Sequence, residues 1–220
     1  MVAEKLRHSE ATAQRVTHGL VFTAFTSDYD LGHLTMPHNR AYAERHGYGF
    51  DCRIRAPYDW NAPGQRHPSW DKVAILLELL DELLDSNSSA AAAAAASHIL
   101  WIDADAVAVC QDVSLEDLWR DLPSSCELLL GEDVGPACLI NAGVFSVHVS
   151  EWSRQLWREV WSCNAAVRFH TRLYWEQSVL HKVLAERGEG LEAVKPFHSY
   201  LGGPPAMKVF PHVCVLPRHA

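Results

Sequence analysis

Short apolar runs and longer amphipathic stretches alternate along the chain. "HGLVFTAFT" (His18 to Thr26) is β-branched and aromatic and ends in the polar "SDYD", the pattern of a strand entering a loop. Thr35 and Pro37 mark a helix start, "NRAYAERHG" carries it, and Gly47 is placed for the left-handed position that ends it. "YGFDCRIR" predicts a second strand, and a Pro, Gly and Trp-rich loop leads to Ser69 as N-cap of the next helix. In "WDKVAILLELLDELLD" the residues Val73, Leu76, Leu77, Leu80, Leu83 and Leu84 form one apolar face. "ILWI" reads as a fully apolar strand, "SLEDLWRDL" as a short helix capped by Ser114, "CELLLGED" and "LINAGVFSVHV" as strands. "SEWSRQLWREVW" and "YWEQSVLHKVLAER" are amphipathic helices, with Trp157 and Trp161 four apart on a core-facing side. Strands alternating with helices predict an α/β fold with a mainly parallel central sheet flanked by helices. A polar segment (1–17) precedes one domain (18–220), which carries a low-complexity alanine insertion (86–97) without chemistry of its own.

The 220 residues are 48% hydrophobic, enough for one sizeable core. A formal charge of −8 and no block of Lys or Arg argue against nucleic-acid partners. The six cysteines show no Cys-x-x-Cys pair, so neither a zinc knuckle nor a redox couple is expected. No signal peptide or membrane-spanning segment is visible.

One stretch carries chemistry. "HILWIDADAV" ends an apolar strand in Asp103 and Asp105, and in open α/β sheets ligands bind beyond the carboxyl ends of strands. With one residue between them, both carboxylates can turn to a hard cation such as Mn²⁺ or Mg²⁺, which in turn holds a diphosphate as leaving group. Lys72 lies in the first turn of its helix, where the macrodipole disfavours a cation, and an anionic partner such as phosphate is the matching expectation. Trp60, in its Pro/Gly loop, suits either sugar stacking or a hydrophobic anchor.

In order, "YAERHGY" (Tyr42 to Tyr48), "SWDK" (Ser69 to Lys72), "ILWIDADAV" (Ile99 to Val107), "LINAGVFSVHVSEWS" (Leu139 to Ser153) and "YWEQSVL" (Tyr174 to Leu180) resemble the galactosyl/xylosyl transferase family of galactomannan galactosyltransferases and xyloglucan xylosyltransferases. That resemblance implies the GT-A nucleotide-diphospho-sugar transferase fold and transfer of a hexose or pentose from a nucleotide sugar to a glycan acceptor. It implies metal and donor binding by Asp103 and Asp105, a sugar pocket at Asn141 and Gly143, catalytic positions at Glu176 and Gln177, and donor binding by Lys72. It further implies a Golgi or secretory-lumen setting and a histidine-glycine element that adds a metal ligand near the domain's end. The downstream histidines here (His181, His198, His212, His219) do not stand in that context, so the chain is expected to stop before it. Two alternatives stay open. One is a degenerate domain that binds sugar nucleotide without turnover. The other is a haloacid dehalogenase-type phosphohydrolase, against which count the late position of the Asp pair and the lone "GEDVG" downstream.

Overall fold

A computed structural model of the chain describes residues 18–85, 96–133, 140–191 and 206–217. The alanine insertion falls almost wholly outside these, as does the polar N-terminal segment. The elements are β1 (Gly19–Thr26), α1 (Asp30–His46), β2 (Gly49–Arg55), a 3₁₀ turn (Pro68–Trp70), α2 (Asp71–Asp85), β3 (His98–Ile102), α3 (Leu115–Trp119), β4 (Leu128–Glu132), β5 (Ile140–His148), α4 (Glu151–Ser162), α5 (Asn164–Arg168), α6 (Trp175–Glu186), β6 (Lys208–Val209) and β7 (Val213–Leu216). The strands form one sheet in the order β2-β1-β3-β5-β4-β7-β6.

The expected α/β class holds: β1, β2, β3, β4 and β7 run one way, and β5 and β6 against them make the sheet mixed. β1 pairs parallel with β2 and β3, and β4 with β7, whereas β5 runs antiparallel to both β3 and β4, and β6 to β7. The reason is chain length. Parallel neighbours need a crossover of about a dozen residues or more, and only residues 133–139 separate β4 from β5.

Helices cover both faces. On one, Trp70, Val73, Ile75, Leu76 and Leu80 join Leu156, Trp157, Val160, Val179, Leu180 and Leu184 in a core against Phe22, Trp101 and Phe145. On the other, Tyr42, Ala43, Leu115 and Trp119 pack against Val21, Leu100, Ile102 and Leu129. β3 is buried along its whole length, as its unbroken apolar run requires.

Three local expectations are corrected. α1 begins at Asp30, not near Thr35, and carries Pro37 inside it. Thr35 is no cap, because it lies inside the helix and its hydroxyl donates to Ala104 O at 2.6 Å. Ser69 does not cap α2 either: the His67 ring nitrogen accepts from Ser69 N and starts the 3₁₀ turn that precedes the helix. The buried face of α2 includes Ile75 and Leu79, with Leu77 and Leu83 only partly covered. Gly47 does take the left-handed conformation (φ 70°), and Ser114 forms a capping box with Asp117.

Candidate functional site

Asp103 directly follows β3. Its backbone N–H donates to Gly143 O at 2.7 Å, and Ala106 N donates back to Asp103 O at 2.9 Å, so the strand leaves the sheet in a tight turn. That turn carries Asp103 and Asp105 to the carboxyl end of β3, as the sequence predicts. Asp103 Oδ1 accepts two donors, Trp101 Nε1 at 2.6 Å and the Lys72 ammonium at 2.8 Å. Asp105 is exposed and takes a hydrogen bond from the Tyr29 hydroxyl, whose pKa burial, then Asp105 and Asp103, push upward.

Lys72 is the hub. It is only 3% exposed, and its ammonium reaches Asp103 Oδ1 (2.8 Å), Glu176 Oε1 (2.9 Å) and Ala142 O (2.9 Å). Burial draws its pKa down, but the two carboxylates outweigh that and hold it well above the ordinary lysine value. An ammonium has three hydrogens, and each already has an acceptor. The expected phosphate contact from Lys72 would therefore have to displace one of them. As folded, Lys72 ties α2, β3, β5 and α6 together.

Glu176 and Gln177, expected as catalytic positions, lie on α6 and meet the same hub. Glu176 is 3% exposed, and its Oε2 is buried without a hydrogen-bond partner. Gln177 Oε1 accepts from Ala142 N (2.8 Å), and its Nε2 donates to Asp133 Oδ2 (2.5 Å). Both ends of this amide thus join the carboxyl end of β4 to β5. α6 opens on strained backbone, with positive φ at Tyr174 (66°) and Trp175 (23°). Asn141 Oδ1 accepts from Gly143 N at 2.8 Å, a bond to its own strand. Gly143 has no room for a side chain, since a Cβ would stand 2.9 Å from Asn141 Oδ1 and 3.2 Å from Asp103 Oδ2.

A cavity of about 390 Å³ opens here. Asp103, Asp105 and Lys72 line it, together with Tyr29, His67 and Trp175. Asn141, Gly143, Glu176 and Gln177 stand behind that wall. The His67 ring stacks on Trp175 at 3.7 Å between centroids and meets Trp60 edge-on at 4.8 Å, so Trp60 supports a wall residue. Burial and the nearby Lys72 lower the His67 pKa, which keeps the ring neutral.

Tyr29, His67 and Trp175 were missed in the sequence. Tyr29 was within reach, because "SDYD" follows β1 at the ligand-binding edge of the sheet. His67 and Trp175 reach the site through the 3₁₀ turn and the strained start of α6, which have no sequence signature.

For a divalent cation, the available oxygens are Asp103 Oδ2, which takes no donor in the contacts above, and the exposed Asp105 carboxylate, which shares one bond with Tyr29. They are hard ligands and fit Mn²⁺ or Mg²⁺, with the rest of the shell left to donor oxygens and water. Among the described residues no group of three His, Cys, Asp or Glu is placed to hold a metal. His212 immediately precedes β7 at the opposite end of the sheet, paired with Glu189 and stacked on Trp152. His198 and His219 lie outside the described residues.

No protein-family model and no curated protein sequence matches the chain. Solved structures do. A glycosyltransferase involved in glycosylation of the major capsid of PBCV-1 superposes with a TM-score of 0.54 at 14% identity, over 92% of this chain and 82% of that one. Looser overlaps are with Drosophila beta-1,4-galactosyltransferase 7 in complex with manganese, UDP-Gal and xylobiose (TM-score 0.40, 15% identity, 63% of this chain and 52% of that one) and with GlyE of Streptococcus pneumoniae (0.43, 14%, 77% and 43%). The first establishes the fold: a seven-stranded mixed sheet flanked by helices, of the GT-A glycosyltransferase type.

Proposed function

We propose that the chain is a glycosyltransferase that takes its sugar from a nucleotide-diphosphate donor, a UDP-sugar, and passes it to a glycan acceptor. One observation carries the reading: on a GT-A sheet, Asp103 and Asp105 leave the carboxyl end of β3 into a cavity that they line with Lys72, whose ammonium is held from behind by Glu176. Asp103 Oδ2 and Asp105 would hold Mn²⁺ or Mg²⁺, which supplies positive charge to the departing diphosphate. Lys72 fixes the Asp103 carboxylate and brings Glu176 to within two hydrogen bonds of it. Glu176 Oε2, buried without a partner behind the wall, would meet a transferred sugar only if the wall in front of it opened. Gln177, Asn141 and Gly143 shape the strand end beside it rather than reaching into the cavity.

The five sequence blocks support membership of the galactosyl/xylosyl transferase family and a Golgi or secretory setting, both part of this proposal. Among the described residues no helix is long and apolar enough to cross a membrane.

Metal-dependent release of UDP from UDP-sugars tests the reading. Mn²⁺ should strengthen UDP binding in the wild type, and Asp105→Asn should remove at least about tenfold of that gain with an unchanged melting temperature. Equal UDP affinity with and without metal rejects the metal assignment. Phosphate release instead of UDP would favour a hydrolase, and binding without release a domain that does not turn over.

A further inference from the structure

The segment that follows β3 runs from Asp103 to Val113 without regular structure. Its backbone polar groups therefore need partners from elsewhere. They find them on one stripe of α1. Thr35, Asn39, Tyr42 and His46 recur at spacings of four, three and four, the same face of a helix. Thr35 Oγ1 donates to Ala104 O at 2.6 Å. Asn39 uses both halves of its amide, Nδ2 donating to Ala106 O and Oδ1 accepting from Ala108 N, each at 3.0 Å. Tyr42 donates to Val113 O at 3.0 Å, and His46 Nε2 stands 2.9 Å from Gln111 O. Asn39 is fully buried, so its amide depends on its two loop partners.

The two upper contacts bracket the site. Ala104 is the residue between the two aspartates, and Ala106 follows the second. We infer that Thr35 and Asn39 are positioning residues for the Asp103–Asp105 turn, with Asn39 fixing where Asp105 points into the cavity. The alternative is that Asn39 merely satisfies the backbone of the loop. An asparagine that only stabilised the loop would cost folding free energy without a selective effect on ligand. A positioning residue moves ligand affinity beyond what stability accounts for.

The inference rests on the proposed donor site. Its test pairs hydrogen exchange with UDP titration in Mn²⁺ for the full chain, comparing wild type, Asn39→Ala, Asn39→Asp and Tyr48→Phe. Tyr48 accepts from Leu115 N (2.9 Å) and bonds Glu116, so its variant loses comparable bonds outside the stripe. Asn39→Ala should speed exchange at residues 104–108 and weaken UDP binding on the order of tenfold, the usual effect of losing a group that orients a ligand-binding carboxylate. Asn39→Asp keeps the acceptor for Ala108 N but loses the donor to Ala106 O, and should fall between. Tyr48→Phe should lower the melting temperature and leave UDP affinity alone. The inference is overturned if Asn39→Ala binds UDP like the wild type, or if Tyr48→Phe weakens UDP equally. If the wild type binds no UDP, the donor-site reading fails, and unchanged exchange at 104–108 in Asn39→Ala then rejects the positioning role independently.

Discussion

Replacing Lys72 by Met keeps most of the side-chain volume and deletes the charge between Asp103 and Glu176. Removing one member of a buried ion pair costs about 3–5 kcal/mol, because the remaining charge is left buried and unpaired. The two partners do not share that cost equally. The Asp103 side chain is 33% exposed and can rehydrate, whereas that of Glu176 is 5% exposed and its Oε2 already lacks a partner. The lower end, about 3 kcal/mol, is therefore expected, with nearly all of it at Glu176. At this chain length that is a drop of about 6–12 °C in melting temperature. Urea unfolding followed by fluorescence of the eight tryptophans reads it directly. The double variant Lys72→Met/Glu176→Gln removes the stranded charge, so the cycle with the two single variants should show a coupling energy on the order of 2 kcal/mol. Additivity to within about 0.5 kcal/mol would refute the reasoning, since the two side chains would then not depend on each other.

Gly143→Ala should cost about 1–3 kcal/mol by overpacking, because the new methyl group meets Asn141 Oδ1 and Asp103 Oδ2; an unchanged melting temperature would show that the strand end yields. His98 is completely buried with Nε2 unpartnered, and burial, then His148, depress its pKa to about 3. The unfolded chain, where histidine titrates near 6.5, thus binds a proton that the folded state refuses, and the stability present above that pH is lost as pH falls toward the folded pKa. Between pH 6.5 and 5 the loss should be about 2 kcal/mol, and His98→Leu should flatten that slope; identical pH slopes in variant and wild type would count against it.

Much of the fold was legible because its signals are local and period-based. Val73, Leu76 and Leu80 recur at helical spacing, "ILWI" has no polar break, and Gly47 and Ser114 mark their helix boundaries as propensity predicts. The direction of β5 lay in no residue of "LINAGVFSVHV" but in the seven positions between β4 and β5, too few for a parallel crossover. Asp103 and Asp105 stood out as polar residues at the end of a buried strand. The partners that define their environment did not. Asn39 sits in a run that reads simply as helix, and Lys72 was expected to meet a phosphate, whereas its acceptors are three groups distant in the chain.

That capture of Lys72 changes how the cavity can treat an anionic donor. Among the described residues its lining holds Asp71, Asp103 and Asp105 against the single ammonium of Lys72. Asp71 is paired with Arg55 at 2.9 Å, and His67 is held neutral by burial and by Lys72. The chain around it has a formal charge of −8. A diphosphate entering here meets net negative charge, and the one cation lining the cavity has already given its three hydrogens to Asp103, Glu176 and Ala142. Repulsion between like charges at contact distance amounts to several kcal/mol at the effective dielectric of a protein surface, more than aimed backbone donors are expected to offset. A divalent cation on Asp105 and the free oxygen of Asp103 reverses the sign of that field. On this argument the dependence on metal should appear in binding of the donor before it appears in the rate, and Asp105, the more exposed of the two carboxylates, should control it.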